Sequence, residues 1–224
     1  MTIIVHHLNN SRSQRILWLL EELGLEYDVK RYERDPKTLL APESLRKVHP
    51  LGKSPVITDG ELTLAESGAI IEYLVERYGD GRLIPAPGTP ERLRYNCWLH
   101  YAEGSAMPPL VMQLVFNQID QKTPFFLSPI AKIITGEVKK TFIKPQITQN
   151  LDYLEAELKK NTWFAGDEFT AADIQLSFPL EAAAAYAGLD ESRPQLMDFL
   201  KRIQALPTYQ KALERGGAYD LEEF

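Results

Sequence analysis

Two short apolar runs, PVIT (Pro55 to Thr58) and ELTL (Glu61 to Leu64), flank Asp59-Gly60. Strands split by Asp-Gly are the strongest short-range hairpin signal, because both turn residues tolerate the positive φ that a two-residue type I′ turn demands. An antiparallel pair is therefore expected here. Earlier in the chain, TIIVHH (Thr2 to His7) reads as a strand. From Gln14 the residues Ile16, Leu17, Leu19, Leu20 and Leu23 form a helical stripe that Gly24 can end, and EYDVKRY (Glu26 to Tyr32) reads as a second strand. Such a β-α-β unit makes its strands parallel through a right-handed crossover. A parallel pair joined to a hairpin gives a mixed sheet. A short helix is expected from Pro42 to Val48, with proline acceptable in its first turn, and an amphipathic helix over Glu66 to Gly79 with Ile70, Ile71, Leu74 and Val75 on one face. The order is βαβ-α-ββα.

The stretch from Asp80 to Pro90 is rich in proline and glycine and lacks periodicity, the composition of a linker. The expected division is residues 1–82, a linker over 83–90, and a second domain over 91–224. Past Pro90 the apolar residues recur at helical spacing with no convincing strand, so an all-α domain of about five helices is expected, Pro145 and Pro179 marking kinks or boundaries. FTAAD carries a capping box, Thr170 as N-cap and Asp173 three residues on, with Phe169 placed to staple onto Ile174.

A net charge of −6 and interleaved acids and bases argue against a nucleic-acid partner. No apolar run approaches the roughly 20 residues that span a bilayer, so a cytoplasmic protein with no membrane partner is expected. The single cysteine, Cys97, rules out an internal disulfide, and the absence of CxxC rules out a dithiol centre. Beside Trp98 it is expected to be packed. His6, His7, His49 and His100 lack metal-ligand spacing, and no metal is assigned.

The order and spacing of HPLGKSPVI, LAESGAIIEYL and FTAADI resemble the cytosolic glutathione transferases, and SRSQRILWLLEELG resembles the first helix of their serine-type bacterial and fungal branches. The resemblance covers nearly the whole chain. It implies an α/β thioredoxin-like N-terminal domain that binds glutathione, an all-helical C-terminal domain that carries the electrophile site, and a homodimer. It implies conjugation of the glutathione thiolate to hydrophobic electrophiles, glutathione being a co-substrate and no cofactor being needed. Peroxidase or isomerase activity uses the same cradle, and a non-catalytic binding or interaction module is the alternative of another class.

On this resemblance Pro55 is cis and turns the backbone of Ser54 toward the cysteinyl part of glutathione. Glu66 and Ser67 open a helix whose free N–H groups and dipole suit an anion. They are assigned to the γ-glutamyl ammonium and carboxylate respectively, against the plainer reading that they only cap the helix. Lys53 is assigned to the glycine carboxylate, against a solvated loop lysine; His49 is a weaker candidate. A hydroxyl at a helix start lowers a thiol pKa from its usual value near 8.5. Ser11 is the candidate donor, with Asn10 and Arg12 as alternatives and with a capping box to Gln14 as the structural reading. Met107 and Leu110, with Val111, Leu114 and Phe116, are the electrophile-pocket candidates. Glu103 is placed to reach across a dimer interface.

Overall fold

The computed structural model describes residues 2–36 and 38–221. Met1, Lys37 and Glu222 to Phe224, the outer ends of both expected domains among them, lie outside the described residues.

Four strands form one mixed sheet in the order β2-β1-β3-β4. β1 (Ile3–Leu8) runs parallel to β2 (Tyr27–Tyr32), Val5 opposite Val29, and antiparallel to β3 (Val56–Asp59), Val5 opposite Ile57. β3 turns at Gly60, φ +62°, into β4 (Leu62–Ala65). The hairpin forms as expected, but Asp59 pairs with Leu62 as the last residue of β3, so the two turn residues are Gly60 and Glu61, and of these only Gly60 is left-handed, which is not a type I′ Asp-Gly turn. α1 (Ser13–Leu23) ends as its stripe does. Gly24 is left-handed, and the Leu25 N–H reaches back to the Leu20 carbonyl, a Schellman closure.

α1 and α3 (Ser67–Tyr78) bury their apolar faces between the sheet and the helical domain. The short α2 (Glu43–Arg46) covers the other side, Leu45 packing on Leu8 and Tyr32. Pro42 stands as its N-cap.

Beyond residue 89 the described residues form five continuous helical rods. The first joins α4 (Pro90–Tyr101), a π turn (Ala102–Ala106) and α5 (Met107–Lys122). The second joins α6 (Ser128–Val138), a π turn (Lys139–Ile143) and α7 (Lys144–Leu158). α8 (Ala171–Tyr186), α9 (Pro194–Gln204) and α10 (Pro207–Gly216) complete the domain. α8 is apolar nearly all round, the pattern of a central helix, and α1, α3, α4 and α5 pack on it. Its start is the capping box: the buried Asp173 carboxylate accepts the Thr170 N–H at 2.8 Å and the Phe164 N–H at 2.9 Å. Phe169 lies against Trp18 and Trp163, ring centroids 5.7 and 4.8 Å apart, and so ties the two domains together. Pro145 sits in the first turn of α7 and Pro179 inside α8.

One sequence expectation needs correction. Cys97 is exposed, because Tyr95, Trp98 and Leu99 occupy the inward face of α4 and the helical period carries position 97 outward. The second rod begins at Ser128, with Pro129 in its first turn, where the missing N–H costs nothing.

Candidate functional site

Where the sheet edge meets the first rod, two adjoining cavities of about 500 and 200 Å³ share Arg12, Arg34, Leu39 and Ser54 as a common wall. A larger opening of about 680 Å³ lies beside the linker, lined by residues such as Ile84, Arg94 and Phe169. It gathers no nucleophile and no set of convergent cations, so chemistry rather than size selects the site.

The larger cavity of the pair is built around the turn into β3. The Ser54-Pro55 bond is cis, as the resemblance implies. β3 begins only at Val56, and no backbone hydrogen bond of Ser54 is found among the described residues. Its hydroxyl donates to the His6 carbonyl at 2.9 Å, which fixes the turn against β1. Lys53 is exposed on the cavity wall and has no ion-pair partner among the described residues. His49 does not line the cavity.

Opposite lies the start of α3. Glu66 holds φ +74° and ψ +120°, a conformation costly for a residue with a Cβ, and its side chain makes no capping bond. The plain capping reading therefore does not describe it. Ser67 is buried and accepts a hydrogen bond from Arg15 Nη2 at 2.9 Å. The same nitrogen meets Glu103 Oε1 at 2.5 Å, and Arg15 Nη1 donates to the Gln175 carbonyl at 2.5 Å. Arg15, 1% exposed, therefore ties α1, α3, the first π turn and α8 into one hub.

Glu103 is held within its own chain, its other oxygen 3.2 Å from Arg12 Nε. Burial alone would raise its pKa, but Arg15 and Arg12 outweigh that and hold it below the usual carboxylate range. The π turn places it there, since one extra residue in the turn rotates everything beyond it. Arg34 is held below its ordinary pKa by burial first and by repulsion from Arg12 second. An anion between these guanidiniums relieves that repulsion. In a chain of net charge −6, Arg12, Arg34 and Lys53 against Glu66 and Glu103 leave the lining of this cleft at +1.

The smaller cavity is lined by Asn10, Ser11, Met107, Val111, Leu114, Phe178, Tyr186 and Leu221 in addition to the shared wall. Ser11 is buried at the entrance to α1, whose N-cap position is held by Arg12. Its hydroxyl donates to the Leu8 carbonyl at 2.6 Å and lies 2.7 Å from the Ser13 hydroxyl, which is 2.8 Å from Nδ1 of the buried His7. The capping box to Gln14 does not form: the buried Gln14 amide has no hydrogen-bond partner. Asn10 is left-handed at φ +48°, and its side-chain carbonyl accepts the Asp220 N–H at 2.8 Å.

Met107, Val111 and Leu114 face this cavity. Leu110 does not: it is buried toward α7 and α8 beside Ile147 and Leu154, because one residue is a step of about 100° round the helix and carries it off the face of Val111. Phe116 packs against the core. Sequence reasoning missed Arg34, a loop residue with no periodic context. It also missed His7, read only as a non-ligand, and the hub role of Arg15.

Residues 2–76 match the family description "Glutathione S-transferase, N-terminal domain", and residues 124–207 match "Glutathione S-transferase, C-terminal domain". The chain is 40% identical over 181 residues to glutathione S-transferase 3 of Schizosaccharomyces pombe, covering 81% of this chain and 74% of that protein. It is 32% identical over 225 residues to glutathione S-transferase 1 of Saccharomyces cerevisiae, covering 96% of each. A solved glutathione S-transferase from Actinobacillus pleuropneumoniae superposes with a TM-score of 0.79 at 34% identity, covering all of this chain and 97% of its own. With its mixed four-stranded sheet, its helical second domain and relatives this similar over most of their length, the chain belongs to the glutathione S-transferase family.

Proposed function

We propose that this glutathione transferase grips glutathione along the larger cavity and presents its sulfur to an apolar electrophile in the smaller one. The observation that carries the reading is the pair of cavities that share Arg12, Arg34 and Ser54, one continuing to Lys53, Glu66 and Ser67, the other to Met107, Val111, Leu114 and Phe178. In this reading the Ser67 hydroxyl and the free N–H groups of the first turn of α3 take the γ-glutamyl carboxylate, and Glu66 takes the ammonium. The Ser54 backbone pairs with the cysteinyl unit beside Pro55. Lys53 meets the glycine carboxylate as a point charge, and Arg34 adds to the field.

Ser11 is the thiolate donor. To serve it must turn its proton from the Leu8 carbonyl into the cavity, a rotation about one bond that the Ser13 hydroxyl can compensate from behind. The thiol proton goes to water, since a hydroxyl that donates to the sulfur does not also accept from it. The sulfur lone pair then forms a carbon–sulfur bond, and the electrophile's leaving group departs with its bonding pair. Met107, Val111, Leu114, Phe178 and Tyr186 hold that electrophile.

The tight Ser11 bond to Leu8 favours one rival, in which Arg12 or Asn10 stabilises the thiolate. A homodimer located in the cytoplasm and acting in detoxification completes the reading, with peroxidase activity a variant of the same cradle; light scattering tests the assembly. Calorimetric titration with glutathione tests the grip: binding that is lost in Lys53→Ala/Ser67→Ala supports it, and no heat from the wild type overturns it. Ser11→Ala that conjugates a halo-aromatic at the wild-type rate removes Ser11 from its role, and absence of both binding and turnover leaves the non-catalytic module.

A further inference from the structure

α6 buries a single side chain, Thr135, which bonds Asp120 on α5 at 2.5 Å, while Lys139 pairs with the same carboxylate at 2.6 Å. The remainder of this hairpin end faces outward and is strongly apolar. Phe125 is 88% exposed, Phe126 65%, Ile130 61% and Ile133 73%, with Leu127 and Ile134 exposed beside them. Scattered exposed apolar residues need no explanation, but a contiguous patch of this kind marks a contact surface.

Its surroundings identify the partner. Residues 120–144 carry five lysines against two carboxylates, a local charge of +3 in a chain of −6. Lys122 and Lys132 are exposed beside the apolar tip in the chain, and Lys140 and Lys144 are exposed further along the same rod. A projecting Phe-Phe-Leu tip with neighbouring lysines is the composition that seats in a lipid headgroup layer. A second copy meeting this face about a two-fold axis would bring like-charged lysines together. Among the described residues no helix is long and apolar enough to cross a membrane, so the contact is interfacial. The expectation of no membrane partner rested on the lack of a spanning run, which an interfacial tip does not need.

We propose that the α5–α6 hairpin end docks this protein on an anionic membrane surface, Phe125, Phe126, Leu127 and Ile130 entering the headgroup layer and the lysines meeting lipid phosphate and carboxylate. The apolar face also continues toward the site. Val111, Val115 and Ile119 follow one another every four residues along α5, each exposed, and Val111 lines the smaller cavity.

Flotation of the full chain with phosphatidylcholine vesicles, with and without about a third phosphatidylserine, tests this. The wild type is expected to float with the anionic vesicles about tenfold more than with neutral ones, and less as salt rises. Phe125→Ser/Phe126→Ser is expected to lose about tenfold or more of that binding. Lys132→Glu/Lys140→Glu is expected to lose the anionic preference and its salt dependence. Both variants alter exposed side chains away from the cleft, and wild-type turnover of a water-soluble halo-aromatic shows them folded. A wild type that stays in the aqueous fraction overturns the proposal, as does a Phe125→Ser/Phe126→Ser variant that floats like wild type. So does light scattering in which that variant dissociates an oligomer that ignores vesicles, which assigns the face to a second copy.

Discussion

The two ends of the cleft are held by different means. At the peptide end a buried guanidinium locks three distant segments: Arg15 bonds Ser67, Glu103 and the Gln175 carbonyl together. At the sulfur end Ser11 hangs from a loop between a left-handed Asn10 and Arg12, its hydroxyl shared among Leu8, Ser13 and, beyond it, His7. One end is fixed by charge out of water; the other is a chain of hydroxyls that can reverse direction. On the proposed reading recognition is preorganised, while the group assigned to the sulfur keeps one rotatable bond.

Arg15→Met should break the contrast most severely. It leaves Glu103, one-third exposed, facing only Arg12 and takes the donor from the buried Ser67 hydroxyl and the Gln175 carbonyl, and each buried group left without its partner costs about 1–3 kcal/mol. The urea midpoint should fall accordingly. A midpoint within error of wild type would mean that the peptide end is not held by this hub.

Ser11→Ala should spare the fold and cut kcat/KM by about 10²–10³-fold, the usual cost of one donor to a developing or held anion. The pKa of bound glutathione, read from thiolate absorbance, should return toward about 8.5. Unchanged turnover would move the role to Arg12 or Asn10.

Acid should probe the hydroxyl chain from its far side. Burial first and Arg31 second lower the His7 pKa to about 4 from an ordinary 6.5. Below pH 6.5 the unfolded chain takes up a proton that the folded chain refuses until about pH 4, so stability drains away as pH falls through that window. The amount is about 3 kcal/mol. Asp173 works in the opposite sense: burial raises its pKa to about 6, and its contribution improves on acidification through the same range. The test is therefore a difference. His7→Asn should remove about 3 kcal/mol of the acid loss relative to wild type in urea titrations at pH 7 and pH 4, and equal losses would show that His7 is not held neutral.

The local elements were legible because their signals are local. The stripe of α1 with Gly24, the Asp-Gly hairpin and the Thr170–Asp173 box each depend on residues within a few positions. Ser54, Glu66 and Ser67, assigned to glutathione through the family resemblance, line one cavity of the structure. What could not be read depends on distant packing. Arg15 looks like a polar residue on a helix surface until Gln175, 160 residues away, closes over it. Nothing in AEGSA announces a π turn, so the rotation that aims Glu103 into the cleft is invisible in the sequence. Leu110 and Cys97 were misassigned for the matching reason: their helices were recognised, but the direction each face took needed the neighbouring rods.

The smallest effect sharpens the comparison most. Because Ser67 accepts from Arg15, its own proton is available to the γ-glutamyl carboxylate. Ser67→Ala removes one hydrogen bond to a charged group, about 1.5–3 kcal/mol, or roughly 10–150-fold in glutathione affinity. Arg15 keeps Glu103 and the Gln175 carbonyl, so the fold should barely change. If recognition and reactivity are separate, KM for glutathione should rise by about that factor while kcat at saturating glutathione stays within about twofold, the mark of binding lost equally from ground and transition states. A fall in kcat at unchanged KM would mean that Ser67 acts on the sulfur through the peptide, and the two ends would have to be treated as one device.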